Sequence, residues 1–187
     1  MLKLNFTPFP TITTRRLVLR QLQDGDVHDL FALRTNELVN RFLDRPVPQS
    51  VNDVREFMAK VNQITHDNEG LYWVITRKNE DKLLGTIGLR NFEPEQRRAE
   101  IGYELHPDHQ GQGIMHETIT HVLTFGFDRL GLHAIMADTD PANLRSIQIL
   151  KKHGFVKINE VEDAYILSNK TLPNLPAQSN SPTTPLQ

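Results

Sequence analysis

The chain of 187 residues contains no cysteine, which excludes disulfide staples, thiolate metal sites and a cysteine nucleophile. It also lacks a hydrophobic run of membrane-spanning length, and its first stretch, MLKLNFTPFPTITT, has no sustained apolar core of signal-peptide type. Charge of one sign is missing too. Lys and Arg number 21 against 23 Asp and Glu, a net charge of -2, with both signs mixed along the chain. No dominant basic field for nucleic acid and no charged interaction arm can come from that balance. The eight histidines are scattered and none forms an HExxH pair, so no metal is expected. The reading is a soluble, cytoplasmic protein without nucleic-acid or membrane partners.

What remains is enough for one compact domain, since a chain of this size buries roughly 70% of the surface that its unfolded form exposes. RRLVLRQL reads as a first strand, and Asp24 or Asp26 opens a helix with Val27, Leu30, Phe31 and Leu33 at helical spacing. After RPVPQS, Ser50 and Asp53 begin a second helix to about Thr65, with Val54, Phe57, Met58 and Val61 on one face. The period then shortens. LYWVIT, KLLGTIGLRNF and AEIGYEL read as three strands of a meander. A helix to about Leu130, a strand HAIMADT and a short helix ended by Gly154 follow, and VKINEV and AYILS offer two last strands. From Lys170 the composition turns to Pro, Ser, Thr, Asn and Gln, which suits a flexible tail over 170–187 behind a domain over 1–169. The order gives a mixed α/β fold.

The stretch HPDHQGQGIMHETI, from His106, links the third meander strand to the next helix. Two glycines one residue apart make a turn, and on that ground alone they need do nothing more. Their place at a helix start also leaves amide N–H groups unpartnered at the positive end of the dipole, with no carboxylate inside QGQGIM to meet them. Bare backbone there can seat a phosphate. It is neither the dinucleotide fingerprint, which needs a third glycine, nor a P-loop, which needs Gly-Lys-Ser/Thr.

IGYELHPDHQGQGIMHETI, followed further on by DPANLRSIQILKKHGF, resembles the GNAT acetyltransferases, and TTRRLVLRQLQDGD resembles the T-x-R-L-x-L-R start of their branch that acetylates ribosomal-protein N-termini (RimJ/RimL-like). The family's Gln/Arg-x-x-Gly-x-Gly/Ala signature falls on Gln110, Gly113 and the position of Met115, where a small residue is usual. The resemblance covers about residues 10–160, and beyond Phe155 the chain reads as shorter than the family's last two strands. It implies an acyl-CoA N-acyltransferase fold: a mostly antiparallel central sheet, flanked by helices and splayed at the coenzyme site between IGYEL and IMADT. It also implies acetyl-CoA as co-substrate. The pantetheine arm would pair with backbone near Leu105 and His106, and the N–H groups of Gly111, Gln112, Gly113, Ile114 and Met115 would hold the pyrophosphate. A homodimer through the last strands comes with the resemblance alone.

Acetyl transfer needs a neutral amine, a stabilised oxyanion and a proton for the departing thiolate. GNAT enzymes often carry a tyrosine for the last role where this chain has Leu150. By resemblance Ser146 donates that proton, and Asn143, which also fits a helix cap, holds coenzyme or the acetyl end. Glu104 is the first candidate base and Asp138 the second; each also reads as a solvated strand residue. Direct attack by a primary amine follows, since the pattern contains neither a cysteine nor an activated serine. By resemblance the acceptor is a protein N-terminal α-amine or a small-molecule amine; Asp44, Asp53 and Glu56 either draw it in or are ordinary surface charge. The rival is a non-catalytic acyl-CoA sensor, favoured by Leu150, Met115 and the short end.

Overall fold

The computed structural model describes residues 2–158 and 163–168. Eight strands form one sheet: β1 (Ile12–Thr13), β2 (Leu17–Gln21), β3 (Leu71–Arg77), β4 (Gly85–Glu93), β5 (Arg98–Leu105), β6 (Ala134–Asp138), β7 (Val156–Lys157) and β8 (Ala164–Ser168). Their order is β1-β2-β3-β4-β5-β6-β8-β7. Every neighbouring pair is antiparallel except β5 and β6, which run parallel. The helices are α1 (Val27–Thr35), α2 (Glu37–Asn40), α3 (Val51–His66), α4 (Ile114–Thr124) and α5 (Leu144–Lys152).

Alternation along the strands divides the apolar residues between two cores. On one face Leu17, Leu19, Trp73, Ile75 and Ile87 pack with Ile119, Val122 and Leu123 of α4. On the other, Val74 and Leu83 pack with Leu30 and Leu33 of α1 and Val54, Met58 and Val61 of α3. Trp73 is fully buried and donates its indole N–H to Pro10 O at 2.7 Å, so it belongs to the core and not to a substrate cage. α3 starts as its sequence predicts: Ser50 accepts from Asp53 N while Asp53 accepts from Ser50 N, a capping box. β4 and β5 approach most closely at Gly85, where a Cβ would collide with the carbonyl of Glu104.

Several expectations change. Lys82–Leu84 stand outside β4, because strand pairing begins at Gly85 opposite Leu105. The short α2 and β1 carry too few residues for a periodic signal. The helix expected to Leu130 is α-helical to Thr124 and closes with a π turn over Phe125–Arg129, in which Leu130 N bonds Phe125 O at 3.1 Å. The chain is not short of its last strands: β8 lies beside β6 from Ala134↔Ser168 to Asp138↔Ala164, with β7 at the edge. The second half of VKINEV and the tail over 170–187 lie outside the described residues. Among the described residues no helix is long and apolar enough to cross a membrane.

Candidate active site

β5 and β6 pair only from Arg98↔Ala134 to Glu100↔Met136. β5 then runs on to Leu105 against β4 alone, while β6 ends at Asp138 and its chain turns away through Asp140. The sheet therefore opens between Ile101–Leu105 and Ala137–Asp138. An open cleft of about 1360 Å³ passes through this opening, lined by Ile101, Tyr103 and Glu104 on one strand and Ala137 and Asp138 on the other. Residues of both parities on β5 reach it, so it communicates with both faces of the sheet.

The glycine turn follows the end of β5. Gly111 and Gly113 both have φ of 73°, the left-handed region that other residues adopt only with strain. The turn thus needs glycine for its shape, and the shape also leaves backbone bare: a Cβ on Gly111 would meet nothing within 4 Å. Gly113 is the N-cap of α4 and offers no side-chain oxygen; the first intrahelical bond is Glu117 N to Gly113 O at 3.0 Å. Glu117, the acidic residue of that first turn, points elsewhere. It accepts from Thr14 Oγ1 (2.6 Å), Arg16 N (2.9 Å) and Arg16 Nε (2.6 Å). Arg16 in turn donates to Gln112 O at 3.0 Å. Burial alone would raise the Glu117 carboxyl, but these hydrogen bonds outweigh it and hold the group below its ordinary value. Thr14 and Arg16, in the link between β1 and β2, thereby clamp the turn.

Other side chains hold it as well. Gln110 donates to Leu105 O (3.1 Å) and accepts from Arg145 Nη1 (2.6 Å), tying the end of β5 to α5. Gln112 accepts from Arg77 Nη2 at 2.9 Å. His106 N bonds Leu84 O at 2.9 Å, so the backbone left for a paired ligand lies on the β6 side of Ile101–Glu104. Ile114 and Met115 are buried in the core, which explains a large residue at a position where a small one is usual: its side chain faces inward and only its amide belongs to the turn. The ring of His116 packs against His153 at 4.5 Å between centroids, tilted by 44°.

The chain matches the family model described as an acetyltransferase (GNAT) domain over residues 16–156. It belongs to the GNAT acetyltransferases. It is 36% identical over 149 residues to an uncharacterized N-acetyltransferase, YoaA, of Bacillus subtilis, covering 80% of this chain and 84% of that one. It is 23% identical over 171 residues to the ribosomal protein uS5-alanine N-acetyltransferase of Escherichia coli, covering 87% of each. The fold is shared with the spermidine N-acetyltransferase of Vibrio cholerae solved with CoA and spermine: TM-score 0.72, 23% identity, 83% of this chain and 96% of that one. The protein is thus an acetyl-CoA-dependent N-acetyltransferase with a ribosomal-protein acetyltransferase-like sequence, and it moves an acetyl group to an amine.

In this GNAT enzyme the opening is bridged by a pair of hydroxyls. Tyr103 Oη of β5 and Ser146 Oγ of α5 lie 3.0 Å apart. Burial pushes the Tyr103 phenol up to about 12, with the Ser146 hydrogen bond opposing it, so the group stays protonated at neutral pH. Leu150, which stands where many family members have tyrosine, is fully buried in the core. A hydroxyl reaches the opening from the strand instead. Strand parity could have found it, because Tyr103 faces away from Glu104 and toward α5. Asn143 caps α5, accepting from Ser146 N at 3.2 Å, and so fixes the turn that carries Ser146.

Glu104 is more occupied than a lone base. Its side chain is 7% exposed, accepts from Thr86 Oγ1 (3.1 Å) and Tyr72 Oη (3.5 Å), and is ion-paired to Arg45 Nη2 (2.6 Å) and Arg34 Nη1 (3.8 Å). Oε2 has no hydrogen bond; its contact with Arg45 is an ion pair only. Asp138 and Asp44 sit exposed on the cleft lips. Asp53 is committed to the cap of α3, and Glu56 is exposed on that helix away from the cleft lining, so neither draws an acceptor in.

Proposed function

We propose that this acetyltransferase seats the pyrophosphate of acetyl-CoA on the amides of Gly111, Gln112, Gly113, Ile114 and Met115 and acetylates the α-amine of a protein N-terminus, in the cytoplasm. One observation carries the reading: a bare, doubly clamped helix start lies beside the place where two parallel strands part. The residues fit the coenzyme. The turn presents amide donors without a side-chain cap, keeps open space beside Gly111, and has Arg16, Arg77 and Arg145 around it. The unpaired side of Ile101–Glu104 is free to take an extended arm as an added strand.

When bound, acetyl-CoA supplies an activated acetyl thioester. The chain's own residues supply position and protons. Tyr103 and Ser146 share a hydrogen bond in the opening and hold the proton that the departing sulfur needs, with Tyr103 as the deeper member. Asn143 keeps Ser146 in place. Asp138, on the opposite lip, takes the proton of the entering amine. Glu104 anchors Arg34 and Arg45 through its two ion pairs. Leu150, Met115 and the presence of β8 now have structural explanations, and the sensor reading loses its support. The uS5-alanine relative and the breadth of the cleft support a peptide acceptor.

Calorimetry of coenzyme A with the native protein, Gly113→Ala and Gly113→Asp tests the seat. Native binding, a modest loss in the alanine variant from its strained φ, and a loss of about 100-fold or more in the aspartate variant are expected. A folded native protein that binds no coenzyme A would overturn it.

A further inference from the structure

On the acceptor side of the sheet the charges do not balance. Arg34 and Arg45, with side chains 13% and 18% exposed, both face the single carboxylate of Glu104. Arg34 is stacked on Phe57, 3.9 Å from the ring centroid, and meets Glu104 at a distance beyond hydrogen bonding. Arg45 is oriented by Asn40 Oδ1, which accepts from Nε (3.1 Å) and Nη2 (2.9 Å). Arg41 and Arg90 also line the cleft, but both are exposed. Asp44, Asp138, Asp140 and Asp163 also line the cleft, but they are exposed and screened by solvent, whereas the inner arginines are not. Burial and the nearby Arg45 lower Arg34 below the ordinary guanidinium value, more than Glu104 and Tyr72 raise it.

We propose that Arg34 and Arg45 form an anion subsite that selects acceptors carrying a carboxylate close to the amine, specifically peptide N-termini with an acidic side chain in their first few residues. The inference rests on the cleft being the acceptor site. Two positioned guanidiniums against one carboxylate leave one positive charge without a counterion in a half-desolvated wall, and a planar fork suits a second carboxylate. A cation at this inner wall meets repulsion from both arginines. The volume, about 1360 Å³, exceeds what a free amino acid fills.

The test is the ratio of kcat/KM for two N-terminal hexapeptides that differ only by Glu or Gln at the third residue, followed by thiol release from acetyl-CoA. The native enzyme should favour the Glu peptide by about tenfold or more. Arg45→Gln and Arg34→Lys should each bring the ratio toward one while leaving coenzyme A affinity by calorimetry unchanged. Glu104→Gln removes the internal competitor and should widen the ratio, which guards against variants that merely misfold. Equal use of both peptides by the native enzyme, or a preference that survives loss of Arg45, overturns the proposal. Arginine-dependent turnover of free acidic amino acids but of neither peptide overturns the peptide assignment. If coenzyme A does not bind, the coenzyme seat has failed independently. Calorimetry of the two peptides alone then decides the anion subsite, which stands only if the Glu peptide binds more tightly and Arg45→Gln removes the difference.

Discussion

The glycine turn, proposed as the coenzyme seat, and the cleft, proposed as the acceptor site, are built on opposite plans. The turn is backbone: Gln110–Met115 present amides, and side chains from Thr14, Arg16, Arg77, Glu117 and Arg145 hold that backbone still without entering it. The cleft is side chain: Arg34, Arg45, Tyr72, Thr86 and Glu104, from five separate segments, meet in one charged cluster. A backbone seat recognises what every coenzyme A shares. A side-chain seat changes its preference with one substitution, so coenzyme use and acceptor choice can vary independently on this fold.

Several substitutions would break or sharpen that contrast. Beyond the Gly113→Asp experiment, the largest effect is expected at the bridge between the two regions. Tyr103→Phe should lower kcat by about 100-fold with little change in either KM, the scale for loss of a general acid. Ser146→Ala should do less, since the phenol remains. Next comes the clamp. Arg16→Met or Glu117→Gln should raise the KM for acetyl-CoA about tenfold and leave the KM for the amine and kcat nearly unchanged. An equal rise in both KM values would mean that the two regions are not separate. A smaller effect is expected from Ser50→Ala, which uncaps the helix behind the cleft: roughly 1 kcal/mol of stability lost in a denaturant titration, with native coenzyme affinity. The smallest is a pH effect. Glu117 is held below its ordinary value, so its stabilisation is complete above the unfolded carboxyl value of about 4.3 and is lost as pH falls through the lower folded value. The gap in Tm between native protein and Glu117→Gln should therefore be flat above about pH 5 and close only below about pH 4.

The same contrast explains what the sequence made legible. The geometry of the glycine turn could be read because its parts are contiguous and its shape depends on glycine, whose conformational role shows in the letter itself. Strand alternation placed the meander, and Ser50 with Asp53 placed α3. Thr14 and Arg16 were visible as a motif, but their partner Glu117 lies about a hundred residues away and no local pattern joins them. The arginine cluster was hidden for the same reason: no local pattern marks Arg34 or Arg45, and only the packing of α1 and the segment after α2 brings them onto Glu104. Asp53 misled in the opposite direction, because an acidic residue near a helix start serves a cap as readily as a ligand.

The sheet order has a consequence for synthesis. β6 holds to β5 only as far as Glu100↔Met136, but to β8 along its whole length. The strand that frames one side of the opening thus leaves the ribosome well before the strand that supports it. Until Ala164–Ser168 emerge, β6 is held to the sheet only by its short pairing with β5, so the wall it forms is completed late.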